Sequence, residues 1–256
     1  MSGYAERAEH YALEFNTTDD FELIRKVIPE RGLVLDVPCG AGRLLDLYAT
    51  IRNPVLMVDV EHRMTARCET RALEMGLSGR VSVRTADMRT LQTSERPAAV
   101  LVPHGGLQLL ATLGDVQQTL ENLIRSAAPN ATLYVDVSDP WGADADSVRL
   151  LSPFMAAREE ASGEQVFQNE RVTMRRRWHS RPTDHRLEVQ FSYEVETYDS
   201  AEVMLYTATV RWLRVRPEFL LQEFDRLGVL TSALLGHHDG RSYAAGSPRF
   251  IVVGRA

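Results

Sequence analysis

The feature that most constrains the fold is a series of five short apolar runs, each separated from the next by a stretch of helical periodicity. The apolar runs span residues 33–37, 55–59, 81–85, 98–103 and 131–137, and the helical stretches span residues 42–51, 62–75, 107–112 and 115–127. Short runs that are apolar throughout are typical of strands covered on both faces, and strands that alternate with helices form βαβ units. The sequence therefore predicts an α/β fold with a doubly wound parallel sheet.

The pattern changes to strict alternation after residue 142. Residues 166–179, 186–198 and 202–215 alternate apolar and polar positions with period two. Leu187, Val189 and Phe191, for example, share one face, and Glu188, Gln190 and Ser192 share the other. Such alternation indicates antiparallel strands with one solvated face. Further elements are predicted as a helical region at 4–28 with a break at 16–20, a hairpin loop at 182–185, a helix at 217–227 and a last strand at 250–253.

Composition and charge narrow the class of protein. With 256 residues, 44% of them hydrophobic, the chain can form one large domain or a domain with a cap. The formal net charge is −6 and the longest basic cluster is Arg175-Arg176-Arg177, so we expect no nucleic-acid partner. Cys39 and Cys68 show no metal spacing, and no signal-peptide or membrane-spanning segment is evident. A reduced, cytoplasmic protein without membrane association is therefore expected.

A turn with two spaced glycines follows the first apolar run. Asp36 precedes Gly40 and Gly42, and Asp59 ends the next run, 23 residues after Asp36. In doubly wound sheets ligands bind at the carboxyl ends of the strands, and an acid about 20 residues beyond the glycines can bind ribose hydroxyls. The third glycine of the dinucleotide fingerprint is missing, and an acid directly before the loop would repel a pyrophosphate. The loop instead suits an adenosine ligand with a cationic, amine-bearing end.

At these positions the chain resembles the class I S-adenosylmethionine-dependent methyltransferases. The resemblance is carried by residues 35–43, by Val58-Asp59 with Met64 in the following helix, and by Ala86-Asp87-Met88. It implies S-adenosyl-L-methionine as cofactor and S-adenosyl-L-homocysteine as product. The methionyl part would lie at the glycine loop, the ribose at Asp59 and the adenine at Asp87 and Met88. The cofactor-binding residues that the resemblance implies are Tyr11, Asp36, Gly40, Gly42, Arg43, Asp59, Met64, Asp87, Met88 and His104.

The resemblance extends over nearly the whole chain, to a bacterial subgroup that is similar to glycine and amino-sugar N-methyltransferases. Its motifs are residues 10–15 with Thr18-Asp19-Asp20, residues 107–110 with Asp115, residues 135–140, Arg211-Trp212, and the tail at 236–253. The implied fold is a Rossmann-like, doubly wound, mostly parallel seven-stranded sheet with an antiparallel β cap inserted after the fifth strand. The implied regions are a helical segment over the cofactor at 1–30, a cofactor-binding core at 31–140, a cap or substrate lid at 141–215, and a C-terminal helix and strands that complete the core sheet at 216–256.

Two residues are candidates for a catalytic role. The sulfonium already activates the methyl group, so the protein mainly aligns the acceptor, and a general base is optional. His104 follows the fourth apolar run, where the acceptor should approach; it could position or deprotonate the acceptor, or it could be a hydrogen-bonding wall residue. Tyr11 lies on the N-terminal segment, where it could contact the sulfonium or simply pack.

The acceptor pocket is predicted from residues of the cap, the tail and the turn after the fourth run. The candidate substrate-binding residues are Gln108, Trp141, Arg211, Trp212, His237, His238 and Tyr243, with Arg241 nearby. The adjacent His237 and His238 lack carboxylates at ligand spacing, so we expect no metal site.

The sequence therefore favours a methyltransferase that acts on a nitrogen or oxygen of a small molecule, in specialised metabolism. A non-enzymatic adenosyl-ligand sensor or accessory subunit is the alternative. A nicotinamide-dependent oxidoreductase is disfavoured, because the third glycine is absent and Lys26, the single lysine, forms no Tyr-x-x-x-Lys pair. A homodimer is expected, since the cap exposes strand edges that partners often cover.

Overall fold

The computed structural model describes residues 4–5, 7–155, 159–199 and 203–256. These residues form a seven-stranded sheet and a separate four-stranded antiparallel sheet. The predicted fold class, a mostly parallel α/β sheet with an antiparallel cap after the fifth strand, is confirmed. The boundaries of the four predicted regions stay a prediction.

Eleven strands are present in the described part of the chain. They are β1 Val34–Asp36, β2 Val55–Asp59, β3 Val81–Thr85, β4 Ala99–Val102, β5 Thr132–Ser138, β6 Ala161–Gln168, β7 Val172–Pro182, β8 Arg186–Thr197, β9 Val203–Leu213, β10 Leu230–Leu235 and β11 Arg249–Arg255. The helices are α1 Tyr11–Glu14, α2 Phe21–Val27, α3 Leu45–Tyr48, α4 His62–Glu74, α5 Leu113–Ser126 and α6 Pro217–Arg226, with short 3-10 turns at Gly106–Leu109 and Ser147–Leu150.

The large sheet of the described residues has the order β10-β11-β5-β4-β1-β2-β3, in which β11 runs opposite to the other six strands. Val34 of β1 pairs with Val55 of β2 on one side and with Ala99 of β4 on the other. The chain therefore changes winding direction at β1. The crevice beyond the carboxyl ends of strands at such a switch point is where ligands bind in open α/β sheets.

The strands contribute to two apolar layers, one on each face of the sheet. Leu35 and Val37 pack in the layer that includes residues of α5 and α6, whereas Val34 packs in the layer that includes residues of α2, α3 and α4. Burial on both faces explains why these strands appear in the sequence as apolar runs without alternation.

Several predicted elements are shorter than the sequence pattern suggested. The helix expected at 42–51 is reduced to α3, because Gly42 and its neighbours form a loop rather than a helical turn. The stretch expected at 107–112 forms only a 3-10 turn after Gly105. The N-terminal region at 4–28 contains two short helices, α1 and α2, on either side of the expected break. Residues 1–3 and 6 lie outside the described residues.

The cap is a meander of β6, β7, β8 and β9. The run predicted at 166–179 divides into two strands, since the Asn169 side chain accepts hydrogen bonds from the backbone of Arg171 and Val172 and closes a turn. One face buries an apolar cluster that includes Met174, Phe191 and Trp212. The opposite face carries ion pairs of exposed residues, so the predicted division into an apolar and a solvated face is confirmed.

No helix in the described ranges is long and apolar enough to cross a membrane.

Candidate active site

A cavity of about 540 Å³ opens at the carboxyl ends of β1, β2, β3 and β4. Its wall combines the turns after these strands with the N-terminal segment. The lining residues are Tyr4, Tyr11, Phe15, Asp36, Val37, Pro38, Cys39, Gly40, Arg43, Leu44, Asp59, Val60, Glu61, Ala86, Asp87, Met88, Arg89, Pro103, His104, Gly106, Leu109, Leu110 and Ala111. Of the predicted cofactor-binding residues, all except Gly42 and Met64 therefore lie on the wall of this one cavity.

The glycine loop after β1 forms one side of the cavity. Gly42 has a φ of +85°, and a Cβ atom there would lie 2.6 Å from the Leu45 side chain and 2.9 Å from the Cys68 sulfur. The position thus requires glycine for both its backbone conformation and its packing. Gly40 lies beneath the Tyr11 ring, where a Cβ atom would be 3.5 Å from the Tyr11 Cε1 atom.

Asp36 is buried at the base of this loop, and neither of its carboxyl oxygens has a hydrogen-bond partner among the described residues. Burial raises the pKa of Asp36 to about 7, although the nearby Tyr48 hydroxyl and Arg43 guanidinium oppose the shift. A buried carboxyl group without donors is a costly arrangement in a folded protein. A cationic ligand in the cavity would remove that cost.

Asp59 connects the glycine loop to the turn after β2. Its Oδ2 atom accepts a hydrogen bond of 2.9 Å from the Gly40 backbone, and its Oδ1 atom accepts one of 2.8 Å from the Glu61 backbone. Burial raises the pKa of Asp59, and these backbone donors limit the rise. Each carboxylate oxygen keeps a lone pair that can accept a further hydrogen bond from a ligand.

The turn after β3 places Asp87 and Met88 at the cavity wall. Arg89 encloses the Asp87 carboxylate with Nε and Nη2 contacts of 3.0 and 2.6 Å, and it also contacts Asp115 at 2.9 Å. These hydrogen bonds hold the pKa of Asp87 below its usual value. Met64 is placed differently: its side chain is buried against Ala8 and Ala41 behind the loop.

The N-terminal segment covers the cavity with aromatic side chains. The Tyr11 ring makes an edge contact with Tyr4 at 5.8 Å and a tilted contact with Phe15 at 5.7 Å between ring centroids. Burial raises the pKa of Tyr11 well above its usual value, so its phenol is neutral over the physiological range. Gly40 thus lies directly against the Tyr11 ring at this side of the cavity.

His104 occupies the far end of the cavity, directly after β4. Its φ of +47° is unusual for a residue other than glycine, and a backbone hydrogen bond of 3.2 Å to Asp136 Oδ2 holds this conformation. The His104 Nε2 atom lies 3.2 Å from Asp20 Oδ2. Burial and the Arg43 guanidinium lower the pKa of His104 to about 4, against the opposing effect of Asp20. The imidazole is therefore neutral at pH 7.

Two buried carboxylates flank His104, and an arginine compensates each of them. Arg43 contacts both oxygens of Asp20 at 2.7 Å, and Arg249 contacts both oxygens of Asp136 at 3.0 Å. Burial would raise the pKa of each carboxyl group, but His104 and Arg43 hold the pKa of Asp20 well below its usual range, and Arg249 does the same for Asp136.

His238 completes this group with a contact of 2.9 Å between its Nε2 atom and Asp136 Oδ2. Ligand atoms of Asp20, His104 and His238 lie within 4.8 Å of one another, a grouping that the sequence spacing did not indicate. Arg43 and Arg249 already supply the positive charge that the carboxylates require. The expected absence of a metal site stays a prediction.

None of the predicted acceptor residues is among the described residues that line the cavity. Gln108 is fully buried and uses its side-chain amide on the backbone of Ser138 and Leu213. Trp212 stacks on Phe154 inside the cap, and Arg211 is exposed on the outer face of the cap, where it pairs with Glu188. These are structural environments, and the substrate roles of these residues stay predictions.

The remaining candidates are in the turn after β5 and in the tail. Trp141 donates a hydrogen bond to the Thr183 carbonyl in the cap hairpin. His237 contacts Arg241 at 3.2 Å, and Tyr243 packs against Phe250 of the core. Of the predicted acceptor residues, His238 approaches the cavity most directly, through its ring contact of 5.1 Å with His104.

Sequence patterns missed Asp20 and Asp136 as members of the site. Asp20 precedes a short helix, and its partner Arg43 lies in a distant turn, so no local spacing connects them. Asp136 did carry a signal, because it is a charged residue within an otherwise apolar strand. A buried charge in a strand requires a partner, although the sequence does not identify which one.

Residues 34–130 match the family described as "Methyltransferase domain". The described residues have the α/β fold of the class I methyltransferases. The match covers β1 to the end of α5, and it includes the four turns that line the cavity. No curated protein sequence matches the chain.

Solved structures share the fold of this chain over nearly its full length. The CcbJ methyltransferase from Streptomyces caelestis is 16% identical with a TM-score of 0.76, and the match covers 100% of this chain and 98% of that one. An S-adenosylmethionine-dependent methyltransferase from Clostridium acetobutylicum is 12% identical with a TM-score of 0.71, covering 93% and 89%. SAM-bound CalS10, an amino pentose methyltransferase from Micromonospora echinaspora, is 20% identical with a TM-score of 0.69, covering 97% and 95%. At these identities the likeness establishes the fold alone.

Proposed function

We propose that this chain is an enzyme that transfers a methyl group from S-adenosyl-L-methionine to a nitrogen or oxygen of a small molecule. The observation that carries the proposal is the buried Asp36 carboxyl group, which lacks a hydrogen-bond partner at the wall of the cavity. An α-ammonium group supplies the donors and the positive charge that Asp36 lacks. A pyrophosphate at the same position would bring two negative groups together.

The rest of the cavity fits the other parts of this cofactor. The free lone pairs of Asp59 suit ribose hydroxyls, and Met88 offers apolar surface for the adenine. Arg89 already holds the Asp87 carboxylate, so we assign Asp87 to shaping this end of the cavity rather than to sole recognition of the base. Aromatic faces attract cations, which suits Tyr11, Tyr4 and Phe15 to surround a sulfonium.

The bound cofactor supplies an activated methyl group, so the chain mainly has to orient the acceptor and exclude water. The apolar wall near Leu109, Leu110 and Ala111 would exclude water, and His104 offers the acceptor a neutral imidazole. Tyr11 is proposed to act on the cofactor side through its ring, since the raised pKa of its phenol disfavours ionisation.

The acceptor class is proposed from the fold relatives. CalS10 is an amino pentose methyltransferase, and KedS8 from Streptoalloteichus, 17% identical with a TM-score of 0.69, is a sugar N-methyltransferase. We therefore propose an amine- or hydroxyl-bearing acceptor of the size of a sugar, in specialised metabolism, with the cap as its lid. A cytoplasmic location and the absence of a nucleic-acid partner remain part of this proposal.

The proposal includes a homodimer that forms through the cap. β9 is the edge strand of the four-stranded sheet, and Val203 and Leu205 at its start are both more than half exposed. Unpaired edges with apolar side chains are commonly covered by a partner. Sedimentation analysis of the purified chain tests this, and a monomer at micromolar concentration would contradict it.

Calorimetry tests the cofactor assignment. We expect micromolar affinity for S-adenosyl-L-methionine and S-adenosyl-L-homocysteine and no binding of NAD. Asp59→Ala should weaken binding of both adenosyl ligands by about tenfold or more, since it removes a charged acceptor of ribose hydroxyls. NAD binding in place of the adenosyl ligands would overturn the proposal.

A transfer assay then tests the enzymatic assignment. Amino sugars and hydroxylated sugars are incubated with methyl-labelled S-adenosyl-L-methionine, and the labelled product is identified by mass spectrometry. Tight binding of the adenosyl ligands without transfer to any acceptor of either class would favour the sensor or accessory-subunit alternative.

A further inference from the structure

The arrangement of Asp20, Arg43 and His104, which we name the Asp20 cluster, points to a function for Asp20 that the sequence did not suggest. Asp20 has no exposed side-chain surface, and Arg43 grips both of its oxygens, at 2.7 Å each. The same carboxylate lies 3.2 Å from His104 Nε2 through its Oδ2 atom. A single buried acid thus has an arginine on one side and the imidazole of the cavity wall on the other.

We propose that Asp20 is a positioning residue that keeps the His104 proton on Nε2 and presents the unprotonated Nδ1 atom to the methyl acceptor. This inference rests on the proposed function and adds a means of proton removal to it. Nδ1 makes no hydrogen bond within the described part of the chain, and Nε2 is a buried atom that lies 3.2 Å from Asp20 Oδ2 without a partner in hydrogen-bond geometry. The ring nitrogen next to an ionised carboxylate is the one that retains the proton.

His104 is held from two sides, which fixes the direction of its ring. Its backbone N–H and the adjacent Gly105 N–H donate to Asp136, to a side-chain and a carbonyl oxygen respectively. The Asp20 carboxylate lies at the Nε2 end of the imidazole ring. Although Nε2 and Asp20 Oδ2 are 3.2 Å apart, the two atoms do not meet the geometry of a hydrogen bond in this structure. Hydrogen bonds of this kind often tighten only when the substrate is bound.

The charged groups around the imidazole favour a histidine that is neutral at rest and is stabilised when it accepts a proton. Arg43 and Arg249 face it as positive groups, Asp20 and Asp136 as negative groups, and His238 packs against its ring. The charges of the arginines and carboxylates cancel. The pKa of His104 is about 4, so the imidazole is uncharged above that pH. When it accepts a proton, the carboxylates of Asp20 and Asp136 stabilise the imidazolium.

In the proposed step, the methyl group and one proton leave their starting atoms together. The acceptor lone pair forms a bond to the methyl carbon while the carbon–sulfur bond breaks, and its electron pair remains on the sulfur of S-adenosyl-L-homocysteine. The proton of the acceptor N–H or O–H passes to His104 Nδ1. The resulting imidazolium, which carries protons on both nitrogens, lies beside Asp20 until it returns the proton to solvent.

The first test measures the His104 tautomer in the free protein, independently of activity. Nitrogen NMR of histidine-labelled protein at pH 7.5, assigned with His104→Gln, should show the Nε2–H tautomer. In Asp20→Asn the population should shift toward the Nδ1–H tautomer, because an amide can donate to Nε2. Asp19→Asn is the matched control, since Asp19 is the exposed neighbour of Asp20 and should leave the tautomer unchanged. A wild-type Nδ1–H tautomer would overturn the proposal.

The second test compares turnover with cofactor affinity. Asp20→Asn should lower kcat about tenfold or more and flatten the pH profile, while S-adenosyl-L-methionine affinity stays within about threefold. Asp20→Glu should restore part of kcat, which a merely structural role would not require. Unchanged kcat in Asp20→Asn would contradict the inference. If no adenosyl ligand binds the wild-type protein, the proposed function itself fails, while the tautomer experiment still decides the role of Asp20.

Because Asp20→Asn leaves the buried Arg43 without its counter-charge, the variant could unfold. The double variant Asp20→Asn/Arg43→Gln removes both charges and keeps the NMR experiment possible. The double variant should also show the shifted His104 tautomer. Retention of the wild-type tautomer in the double variant would overturn the proposal.

Discussion

Two buried acid clusters join the N-terminal segment to distant parts of the chain, and they differ in one respect. In the first, which we name the Glu14 cluster, Glu14 accepts hydrogen bonds from Arg7, from Arg176 of β7 and from the Tyr193 hydroxyl of β8. In the Asp20 cluster, the carboxylate is bound by Arg43, and its further neighbour is His104, whose Nδ1 atom makes no hydrogen bond to any described residue. In the Glu14 cluster, all three named partners donate hydrogen bonds to the carboxylate. In the Asp20 cluster, the Nδ1 atom of His104 remains available to a ligand.

This difference indicates a structural role for the buried carboxylate of the Glu14 cluster and a chemical role for that of the Asp20 cluster. None of the Glu14 cluster residues lines the cavity, and its location between the N-terminal segment and the cap suits a clamp. The Asp20 cluster reaches the cavity wall through Arg43 and His104. A carboxylate whose neighbours are arginine and tyrosine donors holds chain segments together. A carboxylate beside a histidine can in addition stabilise that histidine when it accepts a proton.

The largest expected effect is the loss of the clamp. Glu14→Gln leaves the guanidinium groups of Arg7 and Arg176 buried without a counter-charge, so we expect the free energy of unfolding to fall by about 3–5 kcal/mol. Thermal and urea denaturation measure this change. Glu9→Gln, at an exposed position on the same segment, is the control and should change stability by less than about 0.5 kcal/mol. A Glu14→Gln protein of wild-type stability would mean that the two clusters do not differ as described.

The second largest expected effect is the loss of turnover when the Nδ1 atom of His104 is removed. His104→Gln should reduce kcat by about 10²-fold and change S-adenosyl-L-methionine affinity by no more than about threefold, because a glutamine cannot accept the acceptor proton. Steady-state kinetics and calorimetry measure the two quantities. His185→Gln, in the exposed cap hairpin, is the control. Wild-type turnover in His104→Gln would contradict the proposal that the methyl acceptor binds at the His104 end of the cavity.

Asp36 offers a third case, a buried acid whose oxygens have no hydrogen-bond partner among the described residues. Its pKa of about 7 lies above the value in the unfolded chain, so its ionisation costs stability as pH rises from about 4 to 7. Asp36→Asn should therefore raise the free energy of unfolding at pH 8 by about 2 kcal/mol, while it weakens S-adenosyl-L-methionine binding about tenfold or more. Denaturation at pH 8 measures the expected gain in stability, and calorimetry at pH 8 measures the expected loss of affinity. A destabilised variant with unchanged affinity would refute the assignment.

The same carboxyl group predicts a pH dependence of binding in the wild-type protein. The ammonium pairs with ionised Asp36, so affinity for S-adenosyl-L-methionine should rise as pH increases from about 6 to 8, with release of a proton on binding. Calorimetry in buffers of different ionisation enthalpy measures the released proton. Asp36→Asn should abolish this part of the dependence. Proton uptake instead of release in the wild-type protein would show that the sign is wrong.

The smallest expected effect lies on the outer face of the cap. Arg211 and Glu188 pair at 2.6 Å, but the Arg211 side chain is 54% exposed. Exposed ion pairs contribute little, so Arg211→Gln should change the free energy of unfolding by less than about 1 kcal/mol. The same variant tests its predicted substrate role, since a several-fold rise in the acceptor KM would place the acceptor at this face.

Local sequence patterns predict much of the fold. Strand periodicity and the spacing of Asp36, Gly40, Gly42 and Asp59 depend on residues that are near in sequence. The predicted cofactor residues accordingly converge on one cavity, apart from Gly42, which packs against Leu45 and Cys68, and Met64, which is buried behind the loop. The acceptor residues were harder to predict, because Gln108 and Trp212 satisfy buried structural contacts that no local pattern reveals.

The sequence by itself determined the order of the strands and helices, the glycine loop with its acids, and the two faces of the cap, because each depends on backbone propensity and hydrophobic period within a short segment. Only the tertiary structure decided which buried charges meet. Glu14 meets Arg176 across 162 positions, and Asp136 meets Arg249 across 113. Burial makes such pairing necessary, but the packing of the whole chain selects the partners, and that selection gives Asp20 and His104 their place at the cavity.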